Sequence, residues 1–198
     1  MPKSPVIVEA GAHNGMDSIR MSKVWPNAMI YSFEPLPAIF EILKKRVGNK
    51  NNVKIYPIAL SDKCGVQELN ISSGRSDASS SLLPPLEHLK VHPDVHFQEK
   101  IIVQTLTLDE FVQKENLVKV DFIWLDIQGM ELQVLKSGMK TLKNIQCIFL
   151  EVNFIENYNG CHLFNEVKEW LGLQGFSLEY LDSRYKDAGN ALFVRHYK

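Results

Sequence analysis

The sequence predicts a single α/β domain: a mostly parallel sheet, an inserted β-pair and an antiparallel terminal strand. Three observations predict it. Short apolar runs at 5–10, 29–33 and Val53–Ile58 alternate with stretches of helical spacing. Strand, helix, strand, helix, strand in that order reads as right-handed parallel crossovers. The alternation breaks once in the middle and closes on Phe176–Leu181 and Asn190–His196, a pair joined by a polar turn.

Each element has its own signal. Asp17 to Val24 carries Ile19, Met21 and Val24 near helical spacing. Pro35 to Val47 places Ile39, Phe40, Leu43 and Val47 on one face, with Lys44, Lys45 and Arg46 outside it. Val66–Ile71 and Ile101–Leu106 read as an antiparallel pair. The Ser- and Pro-rich segment 72–100 between them is too long for a tight hairpin and is expected to act as a lid. Thr107 to Glu115 is a short helix with a Thr cap and Asp109–Glu110 in its first turn. Asp121–Asp126 is a strand, followed by a helix through Glu131, Leu132, Val134 and Leu135. Ile145–Asn153 is a buried strand, and Leu163–Leu173 a helix with Phe164, Val167, Trp170 and Leu171 inward. The whole of 1–198 is one domain, since 198 residues are too few for two ordinary cores.

Composition narrows the class. The chain is 45% hydrophobic and 23% charged, as globular proteins are, and its net charge of −1 leaves no basic footprint for nucleic acid or an anionic membrane. No apolar run approaches the roughly 20 residues that span a bilayer. The N-terminus runs from Met-Pro-Lys-Ser-Pro into a strand without the order of a signal peptide. Three scattered cysteines, Cys64, Cys147 and Cys161, form no C-x-x-C pair. The expected setting is cytoplasmic.

The richest segment is Val6 to Gly15. A strand ending on Glu9 and Ala10 enters a Gly11-x-x-x-Gly15 turn that carries His13 and Asn14 and opens a helix. Glycines there let a ligand approach the backbone. The turn lacks the third glycine of the dinucleotide pattern, which cradles a pyrophosphate, so a cofactor without phosphates suits it better. Glu34 ends the next strand about twenty residues on, where an acid can accept both ribose hydroxyls; Pro35 follows it. Ala59, Leu60 and Ser61, just after the third strand, are expected along the base of such a nucleoside, with Asp62 capping a turn.

The pieces V-E-A-G-A-H-N-G, Y-S-F-E-P, A-L-S-D, S-S-S-L, T-L-D-E-F, D-F-I-W-L-D-I-Q-G-M-E-L-Q-V-L and F-L-E-V-N-F occur in order from Val6 to about Phe193. Together they resemble the FkbM-type, S-adenosylmethionine-dependent O-methyltransferases. The resemblance implies a Rossmann-like class I methyltransferase fold, in which a reversed terminal strand is usual, and S-adenosylmethionine as cofactor. It does not supply a substrate. The family commonly carries Glu where this chain has Gln128, and often Asp where it has Glu9. Gln128 keeps the hydrogen-bonding capacity and loses a charge.

These residues allow methyl transfer to a hydroxyl of a small molecule, sugar or glycan. Asp126 and Glu151 end their strands where open α/β sheets place ligands, so they are the candidate catalytic acids; Asp126 also faces the methyl group and the cofactor amine. The expected cofactor-binding set is Glu9, Gly11, His13, Asn14, Gly15, Glu34, Pro35, Ala59, Leu60, Ser61 and Asp126. Glu131 is expected to fix the Asp126–Gly129 turn. His88, His92 and His96 recur every four residues, but Pro93 interrupts a helix through them, so they read as exposed or substrate-rim histidines. Asp126, Glu151 and Asn153 offer hard oxygen ligands without a dense acidic cluster, and no metal is expected. An N-methyltransferase would show an Asn/Asp-Pro-Pro-Tyr motif where this chain reads Asp126-Ile127-Gln128-Gly129. A non-catalytic module would show a damaged cofactor turn. A nicotinamide oxidoreductase needs the missing glycine.

Overall fold

The computed structural model describes residues 1–196; the final two positions of the predicted domain lie outside the described residues. The elements run β1 (Val6–Ala10), α1 (Met16–Val24), β2 (Met29–Phe33), α2 (Pro37–Val47), β3 (Val53–Tyr56), β4 (Ala59–Leu60), β5 (Gly65–Gly74) and α3 (His88–Val91). They continue with β6 (Val95–Leu106), α4 (Leu108–Lys114), β7 (Phe122–Leu125), α5 (Glu131–Ser137), α6 (Met139–Leu142), β8 (Cys147–Asn153), α7 (Phe164–Leu173), β9 (Phe176–Asp182) and β10 (Ala188–Arg195). Among the described residues they form a seven-stranded sheet, β3-β2-β1-β7-β8-β10-β9, and a three-stranded one, β4-β6-β5.

The first five strands of the large sheet run parallel, and β10 is antiparallel to both neighbours. The predicted α/β class and its reversed terminal strand are therefore present. The strand order reverses between β1 and β7. Parallel sheets open a crevice at such a switch point, beyond the carboxyl ends of the strands.

Side-chain alternation sends β1 into two cores. Val8 and Ala10 join Leu108, Phe111, Leu132, Leu135 and Leu171 on the side of α4 to α7. Ile7 joins Met21, Leu43 and Val47 under α1 and α2. Glu9 shares the Ile7 face, which decides its fate below. Thr107 caps α4 as expected, its Oγ1 accepting from the Glu110 amide at 3.2 Å, a bond worth about 1 kcal/mol.

Two expectations change. The run Val53–Ile58 is not one strand. Proline has no N–H for the ladder, so β3 stops at Tyr56, before Pro57, and Ala59–Leu60 pairs in the second sheet with Thr105–Leu106. The predicted Val66–Ile71 and Ile101–Leu106 pair forms in antiparallel register (Val66 opposite Gln104, Leu69 opposite Ile101), and it extends to Gly74 opposite Val95 across a bulge. Strand thus reaches into both ends of segment 72–100.

What remains between Gly74 and Val95 is fastened by its own polar groups. Asn70 and Ser81 exchange backbone hydrogen bonds at 2.8 and 3.1 Å, and the Asn70 side-chain amide donates to the carbonyls of Ser81 and Leu83. Ser72 Oγ accepts from the Ser79 amide at 3.0 Å. On the far side, the amides of Leu86 and Asn159 donate to Asn157 and Pro84. The histidines divide: His88 is buried, α3 ends at Val91 before Pro93, and His92 Nε2 sits 2.9 Å from Asp187. The expectation of exposure fails for His88 because its ring packs against Phe97 and Tyr158.

Candidate active site

The cofactor turn is set by close backbone approach. Gly11 has φ +82°, and a Cβ there would lie 1.8 Å from the carbonyl oxygen of Asp126. The ends of β1 and β7 touch at this point, with the Asp126 amide donating to the Ala10 carbonyl at 3.0 Å. The amides of Gly11 and Ala12 both donate to the Phe33 carbonyl, which binds the turn to the end of β2. Asn14 Oδ1 accepts from the Met16 amide at the start of α1 and from Arg46.

Glu34 is the hinge of the arrangement. One carboxylate oxygen accepts from the His13 amide at 2.9 Å and the other from the Leu36 amide at 2.8 Å. Burial raises its pKa, while those amides and His13 pull it back. Each oxygen keeps a further lone pair free to accept. His13, at φ +46°, shapes the loop and carries Nε2 to within 3.1 Å of Asp77 in the 75–87 segment.

At the other end, Gln128 joins the two candidate acids. Its Nε2 donates to Asp126 Oδ1 and to Glu151 Oε2, both at 2.8 Å. Its Oε1 lies 2.7 Å from the Tyr158 hydroxyl, whose single proton is shared with the Ser79 carbonyl at 2.9 Å. The Gln128 backbone carbonyl accepts from Ser81 Oγ at 2.7 Å. This residue holds φ +54°, an uncommon conformation for a side-chain-bearing residue, over-determined here by four contacts.

Glu131 does what its spacing predicts. It accepts from the amides of Ile127 and Gly129 and fixes the turn between β7 and α5; burial pushes it up to about 7. Burial also holds Glu151 well above the usual carboxylate range, and the charges of Asp126, Glu131 and Asp187 push it the same way. Asp126 is open to the pocket. Burial by the surrounding protein raises its pKa and the Gln128 bond lowers it, with smaller opposed contributions from Asp17, which raises it, and His13, which lowers it.

These pieces converge on one cavity of about 240 Å³, open at its mouth. Gly11, His13, Asn14, Glu34, Pro35, Ala59, Leu60 and Asp126, all expected from sequence, line it. Leu36, Ile58, Leu60, Leu69 and Leu82 contribute apolar side chains to the lining.

Four expected residues stand outside the lining. Glu9 lies buried beneath α1, accepting from Ser18 Oγ at 2.5 Å and Ser32 Oγ at 2.6 Å, and burial pushes it up to about 7. Its strand face points away from the crevice, so its contacts are to the scaffold of the turn. Gly15 is a packing position, where a Cβ would meet Leu43 at 2.6 Å. Ser61 is buried, donating to Asp62 and accepting from Gln67. Glu151 reaches the cavity only through Gln128. Sequence reasoning missed Asp17, Asp77, Ser80, Ser81 and Gln128 as lining. The Asp126-x-Gln128-Gly129 motif carried a signal for the last of these.

The cradle suits a nucleoside: a turn opened by Gly11, an amide-held acid and apolar side chains line one cavity, and the turn lacks the third glycine of a pyrophosphate cradle. The model of the methyltransferase FkbM domain matches residues 9–178. The chain belongs to this family. Among curated relatives, the FkbM chain is 32% identical to the 2-O-methyltransferase NoeI of Sinorhizobium fredii over 161 residues, covering 79% of this chain and 66% of that one. It is 26% identical to methyltransferase sdnD of Sordaria araneosa over 161 residues, covering 69% and 61%. The chain thus spans a little under two thirds of the length of these relatives.

Solved structures share the FkbM chain's class I fold. The fibrillarin/Nop5p complex matches at TM-score 0.57 and 15% identity, covering 99% of this chain and 75% of that one. TrmK of M. capricolum, in complex with S-adenosylhomocysteine, matches at TM-score 0.57 and 10% identity, covering 99% and 64%. At these identities the likeness is one of fold.

Proposed function

We propose that this chain is an S-adenosylmethionine-dependent O-methyltransferase acting on a hydroxyl of a sugar, glycan or small molecule. The observation that carries the reading is a single cavity lined at once by the Gly11–Asn14 turn, by Glu34 and by Asp126. Family membership supports the cofactor, and a relative named as a 2-O-methyltransferase supports a hydroxyl acceptor.

When bound, S-adenosylmethionine supplies an electrophilic methyl on a sulfonium whose leaving group is already activated. The chain's own work is to bind, orient and move one proton. Glu34 takes the ribose hydroxyls on its remaining lone pairs. Leu36, Leu60, Leu69 and Leu82 cover the base, and the backbone of Ala59–Leu60 meets its edge. Asp126 takes the proton of the acceptor hydroxyl. Glu151, which burial holds above the usual carboxylate range, acts through Gln128 as a positioning residue. Residues 75–87 form a lid that keeps water from the acceptor end. Holding two reactants in line can supply on the order of 7–11 kcal/mol of barrier reduction.

No metal enters this reading. Asp126 and Glu151 are engaged by Gln128, and Asn153 Oδ1 accepts from Asn157 at 2.9 Å. In this reading the acceptor is a carbohydrate or small molecule rather than a nucleic acid, which the acids Asp17, Asp77 and Asp126 at the cavity support, since they disfavour a phosphodiester. The setting is cytoplasmic, in keeping with three free cysteines; no helix of the described residues is long and apolar enough to cross a membrane.

The test is methyl-labelled S-adenosylmethionine offered with a panel of mono- and oligosaccharides and hydroxylated metabolites. Label on a carbohydrate or metabolite hydroxyl is expected, falling about 100-fold in Asp126→Asn. Label on an amine, or on no acceptor although the cofactor binds, would overturn the reading.

A further inference from the structure

Parallel strands are as a rule covered by helices on both faces. Here the cover is uneven. Helices α4 to α7 pack on the face that carries Ile123, Leu125, Ile148 and Leu150. On the opposite face α1 and α2 lie over β1, β2 and β3. Beyond α1 that face continues across β7, β8 and β10 without a helix packed on it, among the described residues. Its side chains stay half-buried in two rows. Trp124, Phe149 and Leu192 sit side by side in the first, Glu151 and Asn190 in the second. Asp126, exposed just past the end of β7, leads the second row.

The first row is an aromatic floor. The Trp124 and Phe149 rings lie 4.4 Å apart between centroids, tilted by 50°. They span two neighbouring strands, about 5 Å apart, which is the width of one pyranose ring. The second row is a polar rim. Asp126 and Glu151 each give one oxygen to the Gln128 amide, both at 2.8 Å. Among the described residues, the other oxygen of each carboxyl and the Asn190 side chain hold no hydrogen bond. The rim is also a wall of the cofactor cavity. Asp126 and Gln128 line that cavity, and Glu151 stands behind Gln128 on the side of the floor.

An apolar floor beside hydrogen-bond acceptors on three strands calls for a ligand with two unlike sides. One side is a C–H face that meets the rings; the other is an edge with several hydroxyls that donate to the rim. A sugar ring has both. A flat aromatic diol donates along one edge in its ring plane, and an anion is turned away by the two carboxyls. We propose that this face is the acceptor subsite and that it takes a saccharide ring. The ring lies on Trp124 and Phe149, and its hydroxyls reach Asp126, Glu151 and Asn190. The inference narrows the acceptor of the reading above and rests on it.

Saturation-transfer NMR of the chain with S-adenosylhomocysteine tests it without turnover. The probes are the methyl glycosides of glucose, galactose, mannose and N-acetylglucosamine, with catechol for comparison. Saturation of the protein's aromatic protons is expected to pass to the ring C–H protons of at least one glycoside. Its affinity should fall about tenfold in Trp124→Ala and about threefold in Asn190→Ala, the scale of one aromatic contact and one hydrogen bond. Affinity for S-adenosylhomocysteine should stay within about twofold in both, since neither residue lines the cavity. Asn190 is a half-buried rim residue, so its variant carries the test even where Trp124→Ala does not fold. Glycoside binding that the variants leave unchanged, tighter binding of catechol, or no glycoside bound beside S-adenosylhomocysteine overturns the subsite and leaves the cofactor reading standing. Binding of neither overturns both. A wild-type dimer that Trp124→Ala dissociates, measured by sedimentation, means that a second copy covers this face and overturns the inference as well.

Discussion

Gly11 and Gly160 have the same backbone angle, φ +82°, and opposite surroundings. That makes them a controlled pair. At Gly160 a Cβ would meet nothing within 4 Å, so Gly160→Ala costs only the left-handed conformation, about 1–2 kcal/mol. At Gly11 the same atom would lie 1.8 Å from the Asp126 carbonyl oxygen and 2.8 Å from its carbon. These are backbone atoms at the end of β7 and cannot rotate away; β1 and β7 must part where the Asp126 amide meets the Ala10 carbonyl. Overpacking of that kind adds about 1–3 kcal/mol, bringing Gly11→Ala to about 2–5 kcal/mol. In a domain of this size each kcal/mol moves the melting temperature by roughly 2–4 °C. Denaturant and thermal unfolding of both variants, with titration of S-adenosylmethionine, measure the two costs. Gly160→Ala should bind normally, whereas Gly11→Ala should lose both stability and affinity because Asp126 moves with its carbonyl. Equal stability in the two variants, with binding intact in Gly11→Ala, would refute the claim that strand contact builds the site.

Two further perturbations probe the acids. Glu34→Ala should weaken cofactor affinity by about 1.5–3 kcal/mol, the worth of hydrogen bonds to a charged group, by calorimetric titration; unchanged affinity would leave Glu34 as a tie between the turn and α2 alone. Glu9 should give stability a pH slope. Its folded pKa, about 7, lies above its ordinary 4.5, so the folded state binds the extra proton between those values and stability falls as pH rises through that window. The fall amounts to about 3 kcal/mol at most. Glu9→Gln should reduce the slope in unfolding measured from pH 4 to 8, leaving the share that the raised Glu131 and Glu151 contribute, and an unchanged slope would contradict the burial argument.

Much of this was legible in the sequence, for identifiable reasons. Strand and helix periodicity located most of the large sheet's strands and the longer helices to within a few residues, because their apolar spacing is dictated by burial; the short β4, α3 and α6 and the first half of β6 carry no such spacing. That the Gly11 turn, Glu34 and Asp126 would line one cavity was legible because backbone approach and strand-end acids have a local signature. That Glu9 stands outside the lining was not legible, since period-2 alternation says which residues share a face, and only the packed helix α1 says which face covers the crevice. Pro57 ended β3 through a missing donor that the apolar run concealed. The linking role of Gln128 depends on Tyr158, Glu151 and Ser81, which come together only on folding. Likewise the serines of 72–87 look solvated in sequence, and only tertiary pairing with Asn70 and Ser72 orders them over the cavity.

The most direct measurement of the central claim is unfolding of the intact chain with saturating S-adenosylmethionine or with NAD. A ligand bound only by the folded state raises stability by about 2.7 kcal/mol at a hundredfold excess over its dissociation constant. S-adenosylmethionine should produce a rise of that order, roughly 5–11 °C in melting temperature for a domain of this size, and NAD should produce none. A shift from NAD with none from S-adenosylmethionine would contradict the account.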